Sequence, residues 1–206
     1  MSLLERVRGW LGHPIRPASP PAAPAASAAS ELPDVTEAPR ERGPVRMDRL
    51  RAQLVLHEGK RRKVYPDTEG HPTIGIGRNL DAKPLSAREV AAIPLGDIAA
   101  GLTDEQIDLL FSRDVAEAVA ALDRHLPWWR RLDEVRRRVL LDMMFNMGPG
   151  DEKKGLLSFR NTLENIRTGF YTEAAEGMLA SKWARQTKTR ADRLAAMMRT
   201  RQDWTI

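Results

Sequence analysis

A chain of 206 residues, 42% of them hydrophobic, is long enough to bury a substantial core in one domain with length left over for a tail. With no cysteine and four scattered histidines it cannot rely on disulfides or thiolate metal sites, and no metal is expected. A formal net charge of +5 favours anionic partners, yet no zinc-finger spacing, RNA-recognition pattern or phosphate-cradling glycine loop accompanies it, so nucleic acid is not expected among them.

Residues 1–12, with Arg6, Arg8, Trp10 and several leucines, read as a short amphipathic segment. No uninterrupted apolar run follows, so neither a Sec signal peptide nor a membrane span is expected there. Residues 13–45 hold most of the prolines among alanines and serines. Such a stretch buries too little apolar surface to offset its ordering entropy, and it reads as a linker. The folded domain is expected over 46–206.

Within that domain, Met47, Leu50, Leu54 and Val55 fall at helical spacing, and four-residue steps from Leu50 land on Glu58, just before the helix stop Gly59. Two short strands follow, Lys63–Tyr65 and Pro72–Gly77, around the polar turn Pro66–Gly70. Alternation in the second puts Ile74 and Ile76 on one face and Thr73, Gly75 and Gly77 on the other, a nearly bare backbone of the kind that marks close approach by a ligand. Nothing after Gly77 reads as a strand. Past a mixed connector ending at Leu102, Thr103 caps a long helix whose apolar positions run through Ile107, Leu110, Phe111, Val115, Val119 and Leu122. Helical patterns then cover about 128–147, 159–168, 171–183 and 190–201.

Two acids stand out by their surroundings. Glu58 ends an apolar stripe, where shelter from water favours a neutral carboxyl group and hence a proton donor, whereas Asp67 lies in an exposed polar turn and should stay ionised. Cleavage of a glycosidic bond needs such a pair: an acid for the leaving oxygen and a carboxylate that serves a water or the sugar carbon. Each also has an ordinary reading, since glutamates at helix ends are common and an aspartate in a turn usually bonds its own backbone.

The ordered set His57-Glu58-Gly59, Tyr65-x-Asp67-x-Glu69-Gly70 and Thr73-Ile74-Gly75-Ile76-Gly77 resembles the phage-type lysozymes (muramidases) of glycoside hydrolase family 24. The likeness continues through Leu110-Phe111, Asp114-Val115, Asn146-Met147-Gly148, Phe159-x-Asn161, Ser181-Lys182-Trp183, Gln186-Thr187 and Arg190, covering about 47 to the end. It implies an α+β, mainly α, two-lobe fold: a small β-hairpin lobe (46–101), a connecting long helix (102–125) and a helical lobe (126–206). It also implies a cleft for the amino-sugar strands of peptidoglycan. Carried over residue by residue, the resemblance makes Glu58 the proton donor, Asp67 the carboxylate that positions or activates water, and Thr73 the hydroxyl beside that water. Arg190 matches an arginine that pairs with the catalytic glutamate. Glu69, Phe145, Asn146 and Thr162 match or adjoin sugar-holding positions, although Phe145 and Asn146 read equally well as core and helix-end residues.

Two departures from the family pattern are visible. Asn146 stands where the family has a glutamine, and Arg78 stands where its best-known member has a histidine, while an acidic partner remains at Asp114. An Arg78–Asp114 pair would lack a histidine's pH switch, and Arg78→His is expected to make stability depend on pH between about 5 and 7.

The resemblance implies cleavage of the β-1,4 bond between N-acetylmuramic acid and N-acetylglucosamine by a monomeric hydrolase without cofactor. Lytic transglycosylation and a non-catalytic wall-binding or virion role are the competing readings; Asp67 and Thr73 beside Glu58 favour hydrolysis. The favoured route to the wall is that of a free endolysin used in host lysis, held in the host cytoplasm until then and acting on the periplasmic wall; the alternative is an enzyme carried on the virion. In either, residues 1–45 suit tethering to a partner or a membrane surface.

Overall fold

The computed structural model describes residues 43–67 and 69–204. The amphipathic segment 1–12 and nearly all of the linker expected over 13–45 lie outside these residues. Among the described residues the fold is α+β and mainly α: nine α-helices and one three-stranded antiparallel sheet in the order β1-β2-β3. None of these helices is long and apolar enough to cross a membrane.

Helix α1 (Met47–Glu58) buries Leu50 and Leu54 completely and ends at Gly59, whose φ of 78° turns the chain out of the helix while its N–H still bonds the Val55 carbonyl at 2.9 Å. Strand β1 (Arg61–Pro66) then pairs with β2 (Pro72–Gly75), Tyr65 opposite Thr73, with a register shift between Arg61 and Tyr65. The sequence expectation fails after Gly75. Positive φ at Gly75 (68°) and Gly77 (69°) folds the chain back, so Ile74 pairs with Arg78 in a third strand, β3 (Arg78–Asn79), where none was expected. Both faces of β2 are covered, because Thr73 is as buried as Ile74.

The connector contains two short helices, α2 (Ala87–Ala92) and α3 (Leu95–Ala100). A reciprocal Ser86–Glu89 capping box starts α2 and satisfies two backbone donors at once. Helix α4 (Asp104–His125) carries a second such box at Thr103 and Gln106, and its 22 residues span about 33 Å. It touches β2 and α5 (Glu134–Met147).

The pattern expected to run from 128 begins instead as a 3-10 turn, Pro127–Arg131, and α5 starts only where Asp133 caps it. After α6 (Arg160–Thr168), the helix expected over 171–183 divides into α7 (Tyr171–Leu179) and α8 (Lys182–Thr187), because the Ser181 hydroxyl caps a new start at Ala184 N–H. Helix α9 (Thr189–Thr200) completes the fold. One continuous apolar cluster runs from Leu50 and Leu54 of α1 through Ile107 and Leu122 of α4 and Leu140 of α5 to Leu194 and Met198 of α9.

Candidate active site

Glu58 is the last residue of α1, and three elements meet its side chain. Arg190, in the first turn of α9, places Nη1 2.5 Å from Glu58 Oε1, and the Asn146 amide of α5 donates to the same oxygen at 3.4 Å. From the hairpin comes Gly77, so close that a Cβ there would stand 2.9 Å from Glu58 Cβ, Cγ and Oε2. Only glycine permits that approach, and its positive φ suits it as well. The Glu58 side chain keeps 18% of its surface exposed, so it is sheltered yet reachable.

Asp67 opens the β1–β2 turn. Its Oδ1 accepts the backbone N–H groups of Glu69 and His71, each at 2.9 Å, and these bonds hold its carboxyl below the usual carboxylate range, that from His71 foremost. Among the described residues no partner meets Oδ2, so the turn-bonding role of this aspartate occupies one oxygen and leaves the other for a water. Thr73, across from Tyr65, is buried and donates its hydroxyl to the His71 carbonyl at 3.2 Å, which leaves the oxygen's lone pairs as acceptors.

Tyr65 reports on both acids. Burial pushes its phenol up first, the Glu58 carboxylate adds to that, Arg61 opposes it, and the Asp67 carboxylate pushes the same way as Glu58. Glu58 and Asp67 therefore lie within electrostatic reach of one side chain, although they sit on different elements.

Cavities open beside this cluster. One of about 610 Å³ is lined by Gly77, Phe145, Asn146 and Met147, and another of about 680 Å³ by Met147, Phe159, Thr162 and Trp183. Phe145 is half-buried against Phe111, with ring centroids 6.1 Å apart. The Asn146 carbonyl accepts the Trp183 indole N–H at 2.9 Å, so its short side chain links the second cavity to Glu58. Thr162 is buried and packs at Gly177, whereas Glu69 is exposed at the turn, 4.0 Å from His71 Nε2. Arg190 is buried and occupied by two carboxylates, Glu58 and Asp142. Among the described residues no group of three or more acidic or histidine side chains is placed to hold a metal ion.

The sequence reading missed Asp142 and the polar side of α1. Asp142 is wholly buried, receives Arg190 Nε at 2.8 Å and Gln53 Nε2 at 2.7 Å, and meets His57 Nδ1 at 2.9 Å. The signal was an aspartate within the apolar run Val139-Leu140-Leu141-Asp142-Met143-Met144, which demands a partner if buried. The reading also anticipated only part of the contacts of Arg78. Asp114 lies 3.1 Å from its Nη1, but Glu89 takes the two-pronged contact at 2.8 and 3.0 Å.

Comparison with known proteins bears on the family of the chain. Residues 55–203 match the family described as Phage lysozyme. Two relatives from Dictyostelium discoideum, Probable T4-type lysozyme 1 and 2, are 26% and 28% identical, each over 73% of this chain and 94% of its own length. The Pre-baseplate central spike protein Gp5 of Enterobacteria phage T4 is 33% identical over 154 residues, 69% of this chain; the match spans about a quarter (26%) of that longer protein. The matched span, about three quarters of the sequence, takes in Glu58, Asp67, Thr73 and Arg190: the chain belongs to the phage lysozyme family.

Proposed function

We propose that this protein is a peptidoglycan hydrolase, a muramidase that cleaves the β-1,4 bond from N-acetylmuramic acid to N-acetylglucosamine. The observation that carries the reading is the setting of Glu58, sheltered yet 18% exposed, oriented by Arg190 Nη1 at 2.5 Å and packed against Gly77 and Asn146, which line an open cavity of about 610 Å³. Glu58 gives its proton to the leaving oxygen. A water held by Asp67 Oδ2 and Thr73 Oγ1 attacks the sugar carbon from the opposite face, and Asp67 takes the water's proton, so the product is inverted at that carbon. Phe145, Asn146, Thr162 and Glu69 border the strand on the walls of the groove, and Arg190 holds the acid. In this reading the segment 46–101 supplies both carboxylates, α4 the connection, and 126–206 the opposite wall.

Mass spectrometry of the muropeptides released from purified peptidoglycan tests the reaction. Hydrolysis leaves a reducing muramic acid carrying one added water; an anhydro sugar in its place rejects the hydrolytic step and supports transglycosylation.

The likeness to the spike protein favours a second reading of deployment, in which the domain travels with a virion and not as a free endolysin of the host cytoplasm. Its detection among the proteins of purified virions supports that route. Its absence from virions, with accumulation in the infected cell before lysis, supports the endolysin route.

A further inference from the structure

Arg190 is one guanidinium shared between two carboxylates. Its Nη1 meets Glu58 Oε1 at 2.5 Å, while Nε and Nη2 meet Asp142 Oδ1 at 2.8 and 2.7 Å. The other Asp142 oxygen meets Gln53 Nε2 and His57 Nδ1. A buried arginine facing Glu58 alone would hold that group as a carboxylate, since a nearby opposite charge favours the ionised form. A proton donor has to be neutral until the moment of transfer. The geometry contains a way round this conflict, because an ionised Asp142 cancels the charge of Arg190 and leaves its hydrogen-bonding directions in place.

We propose that Asp142 is a positioning residue for the acid: it neutralises Arg190, so that the guanidinium orients the Glu58 carboxyl without fixing it as a carboxylate. The proposal rests on Glu58 being the proton donor. Burial by itself would push the Asp142 carboxyl up, but the charge of Arg190 and the contacts from His57 and Gln53 outweigh it and hold the group below the usual range, so the cancelling charge is present.

Other polar and charged groups flank the two carboxylates. Glu58 faces Arg190 from α9, the neutral Asn146 amide from α5 and Gly77 from the hairpin turn, and its charge reaches the Tyr65 phenol of β1. Asp142 faces Arg190 from α9 and His57 and Gln53 from α1. Behind Gln53 stands Arg138, already matched by Glu134 and Asp203. Gln53 and His57 also line a cavity whose charged residues are Arg46, Arg49, Arg138 and Arg193 with Asp48 and Asp203.

A purely structural Asp142 would fasten α1, α5 and α9 together, and its loss would lower stability without moving the pH at which Glu58 ionises. The test is therefore a titration. Carboxyl carbon NMR of the full chain, with the Glu58 signal assigned through E58Q, is compared between wild type and D142N, alongside kcat and KM for peptidoglycan against pH. In D142N we expect Glu58 to ionise at least about one pH unit lower, with the alkaline limb of kcat moving by the same amount and KM changing less than about twofold. D142N/R190Q should return the ionisation of Glu58 toward the wild-type pH. The amide in D142N faces the Gln53 amide N–H donor, so D142S, which leaves room for a water, is the second variant where D142N does not fold. Ionisation of Glu58 at the wild-type pH in the folded variant overturns the proposal. If wild type does not turn over peptidoglycan, the reading of Glu58 as the acid fails by that result, while the titration still decides whether Asp142 offsets Arg190.

Discussion

Arg78 and Arg190 are both buried arginines set between two acids, yet their clusters have opposite characters. Arg78 is sealed in: Glu89 grips it with both oxygens, Asp114 lies 3.1 Å away, and the Lys83 and Pro84 carbonyls take its remaining donors. Glu89 is closed off as well, because Ser86 donates to it from both backbone and hydroxyl. Arg190 likewise carries a buried charge between two carboxylates, Glu58 and Asp142, but Glu58 keeps an open face. The chemistry of the parts is alike. In the proposed function, what separates a fastening from a working site is whether one carboxylate is left incompletely satisfied and reachable from a cavity.

The comparison breaks most visibly at Glu58. E58Q keeps the size and hydrogen-bonding shape of the side chain but has no proton to give, and turnover of peptidoglycan should fall by about a thousandfold with little change in melting temperature. Loss of stability with activity retained would put Glu58 in the same class as Glu89.

At the sealed cluster the effects should be reversed. The Arg78 and Ser86 contacts, working against burial, bring the Glu89 carboxyl down from its ordinary value to about 2. A carboxyl depressed on folding stabilises the protein above its unfolded value and loses that contribution as pH falls toward the folded one. Thermal melts of wild type should therefore lose about 3 kcal/mol of stability between about pH 5 and pH 2 from this group. E89Q should lack that component, be less stable at neutral pH by a similar amount, and leave turnover unchanged at temperatures where it is folded.

A smaller effect is expected at Gly77. The added methyl in G77A would press on Glu58 and force a positive φ on alanine, so we expect turnover to drop by roughly tenfold and stability by on the order of 1 kcal/mol. Unchanged kinetics would mean that the close approach of the hairpin does not position the acid.

The smallest is the pH-dependent part of Arg78→His. An imidazole beside Glu89 and Asp114 gains partners on folding and has its folded value raised. Its contribution is full below the unfolded value and disappears as pH rises through the folded one, by about 1 kcal/mol on going from pH 5 to pH 8. Equal pH dependence of melting in wild type and variant over that range would contradict this.

The difference between the clusters also marks what the sequence made legible. Glu58 was readable because helical periodicity and the Gly59 stop act locally, and Asp67 because a turn of Pro, Asp and Gly advertises itself. Arg78 and Asp114 were readable as a pair only through the family resemblance. Glu89 carried a local signal, the Ser86-x-x-Glu89 capping box, but the same carboxylate serves both the cap and the distant Arg78, and spacing reports only the first. The partners of Asp142 were illegible for a different reason: Gln53, His57 and Arg190 come from helices far apart in the chain, and only tertiary packing brings them to it. The third strand was missed because two residues are too few for periodicity, and the glycines that create it were taken for strand interior.

The central claim is that Glu58 and Asp67 act on opposite sides of one sugar linkage. A crystal structure of E58Q with a bound oligosaccharide of alternating N-acetylglucosamine and N-acetylmuramic acid tests it most directly. The account predicts the linking oxygen within about 3 Å of the residue 58 side chain, and a water between Asp67 and the adjoining ring carbon. A glycan bound with residue 58 and Asp67 on the same side of the linkage, or bound away from both, would contradict it.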